Sequence, residues 1–261
     1  MRVVVVGKGG SGKSLVSGTM ARVLARRGQR VLALDSDPMP GLAINLGLGP
    51  LEDEMLTDAA EKDESGRWRL KKGIGAARAV QRYSAVAPDG VRLLQFGKAG
   101  DQGFVPFMGS LNAFHQVLYR IARDDVLRDW TIIGDHPAGP RQTAFGWAPY
   151  ADTFLMIVEP TWQSVLTARR IGRIARAKKQ GEVLVVANKI RGEQDLRRVE
   201  ERMGGSAFAV VPADPAVRSA DVAGEALLDH APGCPAIRAV EKLVDRLERR
   251  TLDLSETTKS G

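Results

Sequence analysis

An octapeptide near the amino terminus limits the folds that are open to this chain. Residues 7–14 read GKGGSGKS, which matches the pattern G-x-x-x-x-G-K-[ST]. The segment follows an apolar run at residues 3–6 and precedes a helical pattern at residues 13–27. A glycine-rich turn between a buried strand and a helix lets successive backbone N–H groups face one anion. The feature therefore predicts an α/β fold with a phosphate site at the end of its first strand.

The rest of the chain alternates apolar runs with helical patterns. The runs are continuous, which is typical of strands that helices cover on both faces. We therefore predict a single α/β domain over residues 1–250, with a predominantly parallel, twisted sheet of about seven strands flanked by helices. The further predicted strands are residues 31–34, 130–133, 153–158, 183–187 and 208–211, and the further predicted helices are residues 111–123, 164–179 and 236–250.

Two segments break this alternation. Between residues 51 and 90 the periodicity is lost among polar and glycine-rich stretches. We predict an irregular excursion there, with a hairpin around the turn Pro88-Asp89-Gly90. Residues 251–261 are polar, and we predict that they form a disordered tail.

Composition excludes several classes of protein. Of the 261 residues, 44% are hydrophobic and 26% are charged, which is typical of a globular chain and not of a disordered one. No window reaches the roughly 18 consecutive apolar residues of a membrane span, and the first residues lack the pattern of a signal peptide. Cys234 is the one cysteine, so no internal disulfide can form. We expect a cytoplasmic protein that does not bind membranes.

Positive charge is concentrated in one stretch of the chain. There are 38 Lys and Arg residues against 31 Asp and Glu residues, a net charge of +7. From Gln163 to Arg202 there are 11 basic and 5 acidic residues, so this stretch holds nearly all of the excess. Such a stretch can contact nucleic-acid phosphates or can be the solvated face of a helix. Both interpretations stay open for the segment from Arg169 to Arg202.

The octapeptide is compatible with two kinds of nucleotide site. In a phosphate-binding loop, Lys13 neutralises phosphate charge and the Ser14 hydroxyl ligates Mg²⁺, which prefers oxygen ligands. The glycines also fit G-x-G-x-x-G, and Asp35 follows about 20 residues later, as in a dinucleotide-binding fold. Lys13 and Ser14 have a role only in the first interpretation, which we therefore favour.

Two carboxylates follow buried strands and are candidates for work at the phosphates. Asp135 ends the strand predicted at residues 130–133, where a phosphate-binding loop needs a second carboxylate for the magnesium shell. Asp37 follows the second strand, and the next residue, Pro38, favours an extended conformation for it. Asp37 can orient the attacking water or form a plain Asx turn, and Asp135 can likewise cap a turn at its strand end.

The order of these motifs resembles that in the MinD/ParA, or SIMIBI, class of P-loop ATPases. Lys8, in addition to Lys13, matches the deviant Walker A motif of this class. The other matches are Asp35-Ser36-Asp37-Pro38 with switch I, Asp135-His136-Pro137-Ala138-Gly139 with switch II, Val186-Ala187-Asn188-Lys189 with the segment that reads adenine, and Val211-Pro212-Ala213-Asp214-Pro215-Ala216-Val217 with the loop VPxDPxV.

The resemblance implies an ATPase that binds ATP or ADP with Mg²⁺ and forms a homodimer on ATP binding. Lys8 then reaches the phosphates of the twin subunit, Asp37 positions the water, and Gly139 senses the γ-phosphate. The implied catalytic residues are Lys8, Lys13 and Asp37, and the implied magnesium ligands, direct or through water, are Ser14, Asp37 and Asp135. The implied nucleotide contacts are Gly7, Lys8, Gly9, Gly10, Ser11, Gly12, Lys13, Ser14, Leu15, Asp135, Gly139, Asn188, Lys189, Pro212 and Asp214.

Several segments resemble CooC-like ATPases, which are associated with nickel insertion into carbon monoxide dehydrogenase. The matching segments include residues 93–98, 158–160, 164–171 and 214–217. CooC-like proteins carry a Cys-x-Cys pair where this chain reads Gly103-Phe104-Val105-Pro106-Phe107. Phe and Pro cannot ligate a metal ion, so we expect no nickel or zinc site.

The resemblance leaves two kinds of biological role open. A CooC-like switch ATPase would drive the maturation, insertion or assembly of an unidentified client protein, with Phe104 to Phe107 as an apolar contact. A ParA/MinD-type positioning or partition ATPase would bind DNA non-specifically through a basic surface. Membrane positioning needs an amphipathic anchor, whereas the carboxyl-terminal apolar stripe has the spacing of a core-packing helix. We expect structural roles for His136 and Cys234.

Overall fold

A computed structural model of the chain describes residues 1–37, 41–51, 56–95 and 104–259, without the side chains at 57, 104–106 and 254–259. Of the residues in the motifs above, Pro38, residues 96–98 and Gly103 lie outside this part of the chain. The described strands are β1 Arg2–Gly7, β2 Val31–Asp35, β3 Ala60–Lys62, β4 Trp68–Leu70, β5 Ala85–Val86, β6 Arg92–Gln95, β7 Thr131–Asp135, β8 Thr153–Val158, β9 Glu182–Ile190 and β10 Ala209–Pro212. The described α-helices are α1 Lys13–Arg26, α2 Leu42–Asn45, α3 Ala76–Tyr83, α4 Phe104–Ile121, α5 Arg141–Ala144, α6 Trp162–Ala177, α7 Glu193–Met203, α8 Pro215–Ala223, α9 Leu227–His230 and α10 Pro235–Lys259.

Eight of the described strands form one sheet, in the order β10-β9-β8-β1-β7-β2-β6-β5. Neighbouring strands are parallel except β5 and β6, which pair antiparallel. The mostly parallel α/β fold is thus confirmed, with one strand more than the roughly seven predicted. The difference lies at the sheet edge, where β6 has four residues and β5 has two, lengths at which periodicity gives little signal.

Two hydrophobic cores cover the two faces of the sheet. Along β1, Val4 and Val6 belong to one core and Val3 and Val5 to the other, as the two-residue period of a strand requires. Helices α3, α4, α6 and α7 complete the first core, and α1, α8, α9 and α10 complete the second. The sequences of the central strands β1, β2, β7 and β8 are nearly continuously apolar because both faces of these strands are buried.

The segment predicted as an irregular excursion contains two hairpins and a helix. Strands β3 and β4 pair antiparallel around a turn in which the Asp63 carboxylate accepts two backbone N–H groups. Trp68 of β4 packs against α4, where a Cβ added to Gly109 would lie 2.9 Å from the indole ring. The hairpin expected around Pro88–Gly90 is formed by β5 and β6. The first hairpin and α3 were missed because strands of three residues and a helix of eight residues carry too little pattern.

Two helices are longer than the sequence pattern predicts. Helix α4 begins at Phe104 rather than near residue 111, because a proline in the first turn lacks only an N–H that has no intrahelical partner there. The predicted disordered tail is wrong for residues 251–259, which extend α10 to Lys259. This stretch contains neither glycine nor proline, and the Thr251 hydroxyl donates to the Leu247 carbonyl oxygen at 2.9 Å.

The apolar stripe of α10 packs inward, as its spacing predicts. Among the described residues, no helix combines the length and the apolar character needed to cross a bilayer. The stripe residues, all buried in the second core, are Ile237, Val240, Leu243, Val244 and Leu247.

Gly134 of β7 is predicted to tolerate no larger residue. A Cβ added there would overlap the Oη atom of Tyr150, which is buried and has no hydrogen-bond partner among the described residues. We expect Gly134→Ala to lower the free energy of unfolding by about 1–3 kcal/mol, because this core has no room for the methyl group. Combining it with Tyr150→Phe removes the overlapping hydroxyl and should recover part of the loss in urea denaturation. Equal stability of Gly134→Ala and wild type would contradict this packing.

Candidate functional site

The phosphate loop joins β1 to α1 at the carboxyl edge of the sheet. Gly10 and Gly12 adopt φ angles of 75° and 92°, which are the left-handed values that favour glycine. A Cβ on Gly12 would also overlap the side-chain amide of Asn188. The loop is closed by the Ser11 N–H, which donates to the Lys8 carbonyl oxygen at 3.2 Å. This backbone is the anion-binding turn that the sequence predicts.

Three predicted site residues meet behind this loop. The Lys13 side chain is buried, and its Nζ donates to the Lys8 carbonyl oxygen at 3.3 Å. The Ser14 hydroxyl hydrogen-bonds to the Asp135 carboxylate, and the positive charge of Lys13 is close enough to lower the pKa of that carboxylate. A cation, a hydroxyl and a carboxylate therefore lie together at the end of the loop, as phosphate and Mg²⁺ binding requires.

Asp135 is one of two carboxylates that are buried side by side. Asp35 of β2 and Asp135 of β7 are paired in register at the ends of their strands. Burial raises the pKa of Asp35, and the charge of Asp135 raises it further. Burial also raises the pKa of Asp135, while the Ser14 hydrogen bond and the Lys13 charge oppose that rise. One oxygen of Asp135, Oδ1, has no hydrogen-bond partner in the described structure.

Asp35 braces the segment that carries Asp37. Its Oδ1 accepts the Asp37 N–H at 3.0 Å, and its Oδ2 accepts the Leu42 N–H at 3.1 Å. Asp35 therefore makes an Asx-type turn at this strand end. The half-buried side chain of Asp37 is close enough to raise the pKa of both Asp35 and Asp135. A fully buried Asp35 that binds backbone N–H groups cannot hold a ribose, which removes the dinucleotide alternative.

Asn188 and Lys189 connect the end of β9 to the phosphate loop. Asn188 Nδ2 donates to the Ser11 carbonyl oxygen at 2.6 Å. Lys189 has a φ of 59°, and its Nζ donates to the Gly10 carbonyl oxygen at 2.6 Å. Since the Asn188 amide nitrogen faces the loop, the Asn188 oxygen is the atom left for a bound base.

A cavity of about 630 Å³ extends from the phosphate loop to the segment after β10. Leu15, Asn188 and Pro212 are among the residues that line it. Asp214 also lines the cavity, but its carboxylate accepts the N–H groups of Ala216 and Ala236, both at 3.0 Å. Burial raises the pKa of Asp214, but these hydrogen bonds outweigh burial and hold it below its ordinary value. Asp214 thus caps α8, binds the first turn of α10 and shapes the cavity wall.

Switch II lies directly against the phosphate loop. The Gly139 N–H donates to the Gly7 carbonyl oxygen at 3.0 Å, so this bond must break before Gly139 can bind a phosphate. His136 is buried, and burial lowers its pKa to about 4, so its ring is neutral at pH 7. This environment agrees with the structural role expected for His136.

Lys8 faces its own subunit in this structure. Its Nζ donates to the Gly9 carbonyl oxygen at 3.3 Å and lies 4.0 Å from Glu159 Oε2. Glu159 follows β8 and also binds Lys189, whose Nζ is 2.6 Å from Glu159 Oε1. Sequence reasoning gave Glu159 no role at the site and gave Asp35 a role only in the dinucleotide interpretation that we did not favour. The D-x-D spacing could have indicated the Asp35 turn, but no sequence signal predicts that Glu159 meets two lysines.

The predicted basic segment is not one uniform surface. Lys189 is bound at the phosphate loop, and the guanidinium carbon of Arg202 lies 4.1 Å from the centre of the Trp162 ring. Arg197 and Arg198 of α7 form ion pairs with acidic residues of the same helix. Several exposed basic residues of the segment form no ion pair within the described residues, and four of these are arginines of α6: Arg169, Arg170, Arg173 and Arg176.

The predicted client contact at Phe104 to Phe107 is described only at its last side chain. Phe107 is half-buried and packs against the first core, so it does not form an exposed contact. The side chains at 104–106 lie outside the described ones. Large exposed apolar residues occur instead on the first turns of α6, where Trp162 is 56% and Leu166 is 57% exposed.

The site residues fit a magnesium-bound nucleotide. Oδ1 of Asp135 has no hydrogen-bond partner among the described residues, and the Ser14 hydroxyl lies close to the same carboxylate. Carboxylate and hydroxyl oxygens are ligands of the kind that Mg²⁺ prefers. The loop backbone and Lys13 offer positive potential to phosphates, and the cavity leads from there to Asn188. In the part of the chain that is described, no group of three His, Cys, Asp or Glu side chains is arranged as a metal site. The expectation on nickel and zinc stays a prediction.

Comparisons with known proteins agree with this site. Residues 3–228 match the family described as the CobQ/CobB/MinD/ParA nucleotide binding domain. The chain is 26% identical over 249 residues to the carbon monoxide dehydrogenase accessory protein CooC of Rhodospirillum rubrum, covering 90% of this chain and 92% of that protein.

Solved structures with the same fold include two MinD proteins. The cell division ATPase MinD of Pyrococcus furiosus is 24% identical, with a TM-score of 0.71 over 95% of this chain and 98% of that chain. The septum site-determining protein MinD of Pyrococcus horikoshii, solved with Mg-ADP, is 18% identical, with a TM-score of 0.71 over 95% of this chain and 96% of that chain.

Asp135→Asn is predicted to stabilise the nucleotide-free protein while weakening its use of Mg²⁺. Folding raises the pKa of the Asp135 carboxyl group. The charged form of this group therefore destabilises the fold, and the destabilisation grows as the pH rises above the pKa that the group has in the unfolded chain. We expect a gain of about 1–3 kcal/mol in the free energy of unfolding at pH 7, and a smaller gain at pH 5. Mg-ADP should then raise the melting temperature of wild type more than that of the variant.

Asp125→Asn is the matched control, because Asp125 is an exposed aspartate on the surface. It should change stability by less than about 0.5 kcal/mol. A loss of stability in Asp135→Asn at pH 7 would mean that the buried carboxylate is held by net favourable interactions.

Proposed function

Since the chain belongs to the CobQ/CobB/MinD/ParA nucleotide-binding family and is an ATPase of the MinD/ParA type, we propose that it is a dimerising switch that drives the maturation, insertion or assembly of a partner protein. The observation that carries this proposal is the cluster of Lys13, Ser14 and Asp135 behind the phosphate loop, at one end of the cavity. Such a cluster binds a nucleotide phosphate and its metal ion.

The residues around the phosphates divide the work of hydrolysis. Lys13 and the loop N–H groups bind the phosphates, and Ser14 and Asp135 hold Mg²⁺, which neutralises charge on the transferring phosphoryl group when it is bound. Asp37, braced by Asp35, orients the attacking water. The Gly139 N–H exchanges the Gly7 carbonyl for the γ-phosphate, so switch II follows the state of the nucleotide.

The base pocket favours adenine over guanine. Asn188 donates its amide nitrogen to Ser11, so its oxygen can accept a hydrogen bond from the exocyclic amine of adenine. Guanine carries a carbonyl at that position, and two acceptors would face each other. Pro212 and Leu15 supply apolar contacts of the kind that a flat base needs.

Lys8 supplies the link between ATP binding and dimerisation. Its side chain is one-third exposed, so a second subunit can approach it. We propose that Lys8 reaches the phosphates of that subunit, where its charge stabilises the transferring group as an arginine finger does. The bound nucleotide then forms part of the interface, and hydrolysis releases it.

A protein client is supported by two observations. The similarity to CooC, which is named as an accessory protein of carbon monoxide dehydrogenase, favours an accessory role here. The exposed Trp162 and Leu166 lie at the start of α6, only a few residues after Glu159 and its contact with Lys8. Exposed aromatic residues are typical of protein contacts, and this surface lies close to the expected subunit interface.

Two substitutions test the dimerising switch. We expect wild type to dimerise with Mg-ATP, Lys8→Ala to stay monomeric, and Asp37→Ala to dimerise without hydrolysis. Each variant should lose about 100-fold or more of the ATPase rate, because each removes a group that acts at the transferring phosphate. Light scattering and phosphate release measure the two effects, and the trapped Asp37→Ala dimer serves as bait for the client. A wild type that binds Mg-ATP but stays monomeric would overturn the switch.

A positioning ATPase that binds DNA is the second candidate, favoured by the exposed arginines of α6. If they contact phosphates, Arg169→Ala with Arg173→Ala should reduce the slope of log K against log salt by about 1.8 for duplex DNA of random sequence. Arg197→Ala is the matched control, because Arg197 is exposed but paired with Glu193. Absence of ATP-dependent DNA binding by the Asp37→Ala dimer at about 50 mM salt would exclude this role.

A further inference from the structure

Glu159 is held rigidly beside the phosphate loop. It directly follows β8, its N–H donates to the Ser164 hydroxyl oxygen at 3.0 Å, and its carbonyl oxygen accepts the Thr161 N–H at 2.8 Å. These bonds tie its backbone to the first turn of α6. Its side chain is only 12% exposed, so its carboxylate points into the protein and not into solvent. A buried carboxylate needs a compensating cation.

Lys189 is the permanent cation for this carboxylate. Its Nζ lies 2.6 Å from both Glu159 Oε1 and the Gly10 carbonyl oxygen. Its φ of 59° is uncommon for a residue other than glycine, and these two strong contacts keep it there. The ion pair of Glu159 and Lys189 therefore forms a fixed support behind the loop.

Lys8 makes the weaker contact with the same carboxylate. Its Nζ lies 4.0 Å from Glu159 Oε2, and its side chain is 33% exposed. Because Lys189 neutralises Glu159, the departure of Lys8 leaves no unpaired buried charge. The pair of Lys8 and Glu159 can therefore break at low cost, whereas the pair of Lys189 and Glu159 persists.

We propose that Glu159 is a positioning residue that holds Lys8 on its own subunit until a nucleotide-bound partner subunit draws the lysine away. The inference rests on the proposed cross-subunit role of Lys8. The triphosphate of the partner carries more negative charge than one shared carboxylate, so only a loaded partner competes effectively for Lys8. Glu159 thus opposes dimerisation in the absence of nucleotide and sets the threshold for it.

The first test uses the nucleotide-free protein. Glu159→Gln keeps the size of the side chain but removes its charge, so Lys8 becomes more reactive toward a limiting amine-acetylating reagent. We expect mass spectrometry to show an increase of about 1.5- to 5-fold in acetylation of Lys8 relative to exposed Lys242. The matched control is Glu182→Gln. Glu182 begins β9, at the amino end of the parallel strands and away from the phosphate loop, and its carboxylate pairs with Arg250, so this substitution should leave the ratio unchanged. An unchanged ratio in Glu159→Gln would overturn the holding contact.

The second test measures dimerisation. In the Asp37→Ala background with saturating Mg-ATP, Glu159→Gln should tighten the dimer by about 2- to 25-fold in sedimentation equilibrium, because two lysines leave their glutamates in each dimer. A merely structural role for Glu159 predicts a weaker dimer, since the loop support would be damaged. An equal or weaker dimer therefore contradicts the proposal. Binding of a fluorescent ADP analogue by the Glu159→Gln monomer verifies that the loop is intact.

The two tests separate the two ideas. If the protein with Glu159 intact stays monomeric with Mg-ATP, the dimerising switch fails, whereas the acetylation ratio still reports whether Glu159 holds Lys8. If that protein dimerises and the Glu159→Gln dimer is not tighter, the switch stands and the threshold role of Glu159 is lost.

Discussion

The site depends on two carboxylates that are buried next to each other at the ends of neighbouring parallel strands. Asp35 and Asp135 raise each other's free energy, yet both are retained because each has a separate partner. Asp35 holds the backbone of switch I, and Asp135 faces Ser14 and Lys13. The charged pair is a local destabilisation of the nucleotide-free fold, and the Mg²⁺ that we propose to bind beside Asp135 would offset part of it.

Backbone carbonyl groups of the phosphate loop connect the other parts of the site. Gly7 accepts the N–H of switch II, Gly10 accepts Lys189, and Ser11 accepts Asn188. The loop amides are thus left to face an anion, while its carbonyl oxygens bind switch II and the end of β9, which we propose to sense the γ-phosphate and to read the base. A change of conformation at one of these positions therefore affects the others, because switch II, Lys189 and Asn188 all bind to the same five-residue turn.

Several expectations failed where local pattern is weak. The first hairpin of the excursion was missed because its strands have three residues each, although Trp68 packs against the body of the protein. The tail was predicted to be disordered because it is polar. Extending an existing helix requires only residues that are compatible with a helix, and the tail has them. Asp214 lines the cavity as expected of a nucleotide contact, but its carboxylate binds the first turns of two helices, which the sequence did not indicate, so its contact with a nucleotide stays a prediction.

The sequence alone determined the class of fold, the phosphate loop and the identity of the residues around it, because a strand, a glycine turn and a helix are local features and their chemistry follows from residue type. Only the tertiary structure decided which groups share a partner. That Glu159 lies between Lys8 and Lys189 follows from the packing of β8 and β9 beside β1. That Asp35 and Asp135 lie side by side follows from the packing of β2 beside β7. Such contacts depend on strand order and register, which no local pattern specifies.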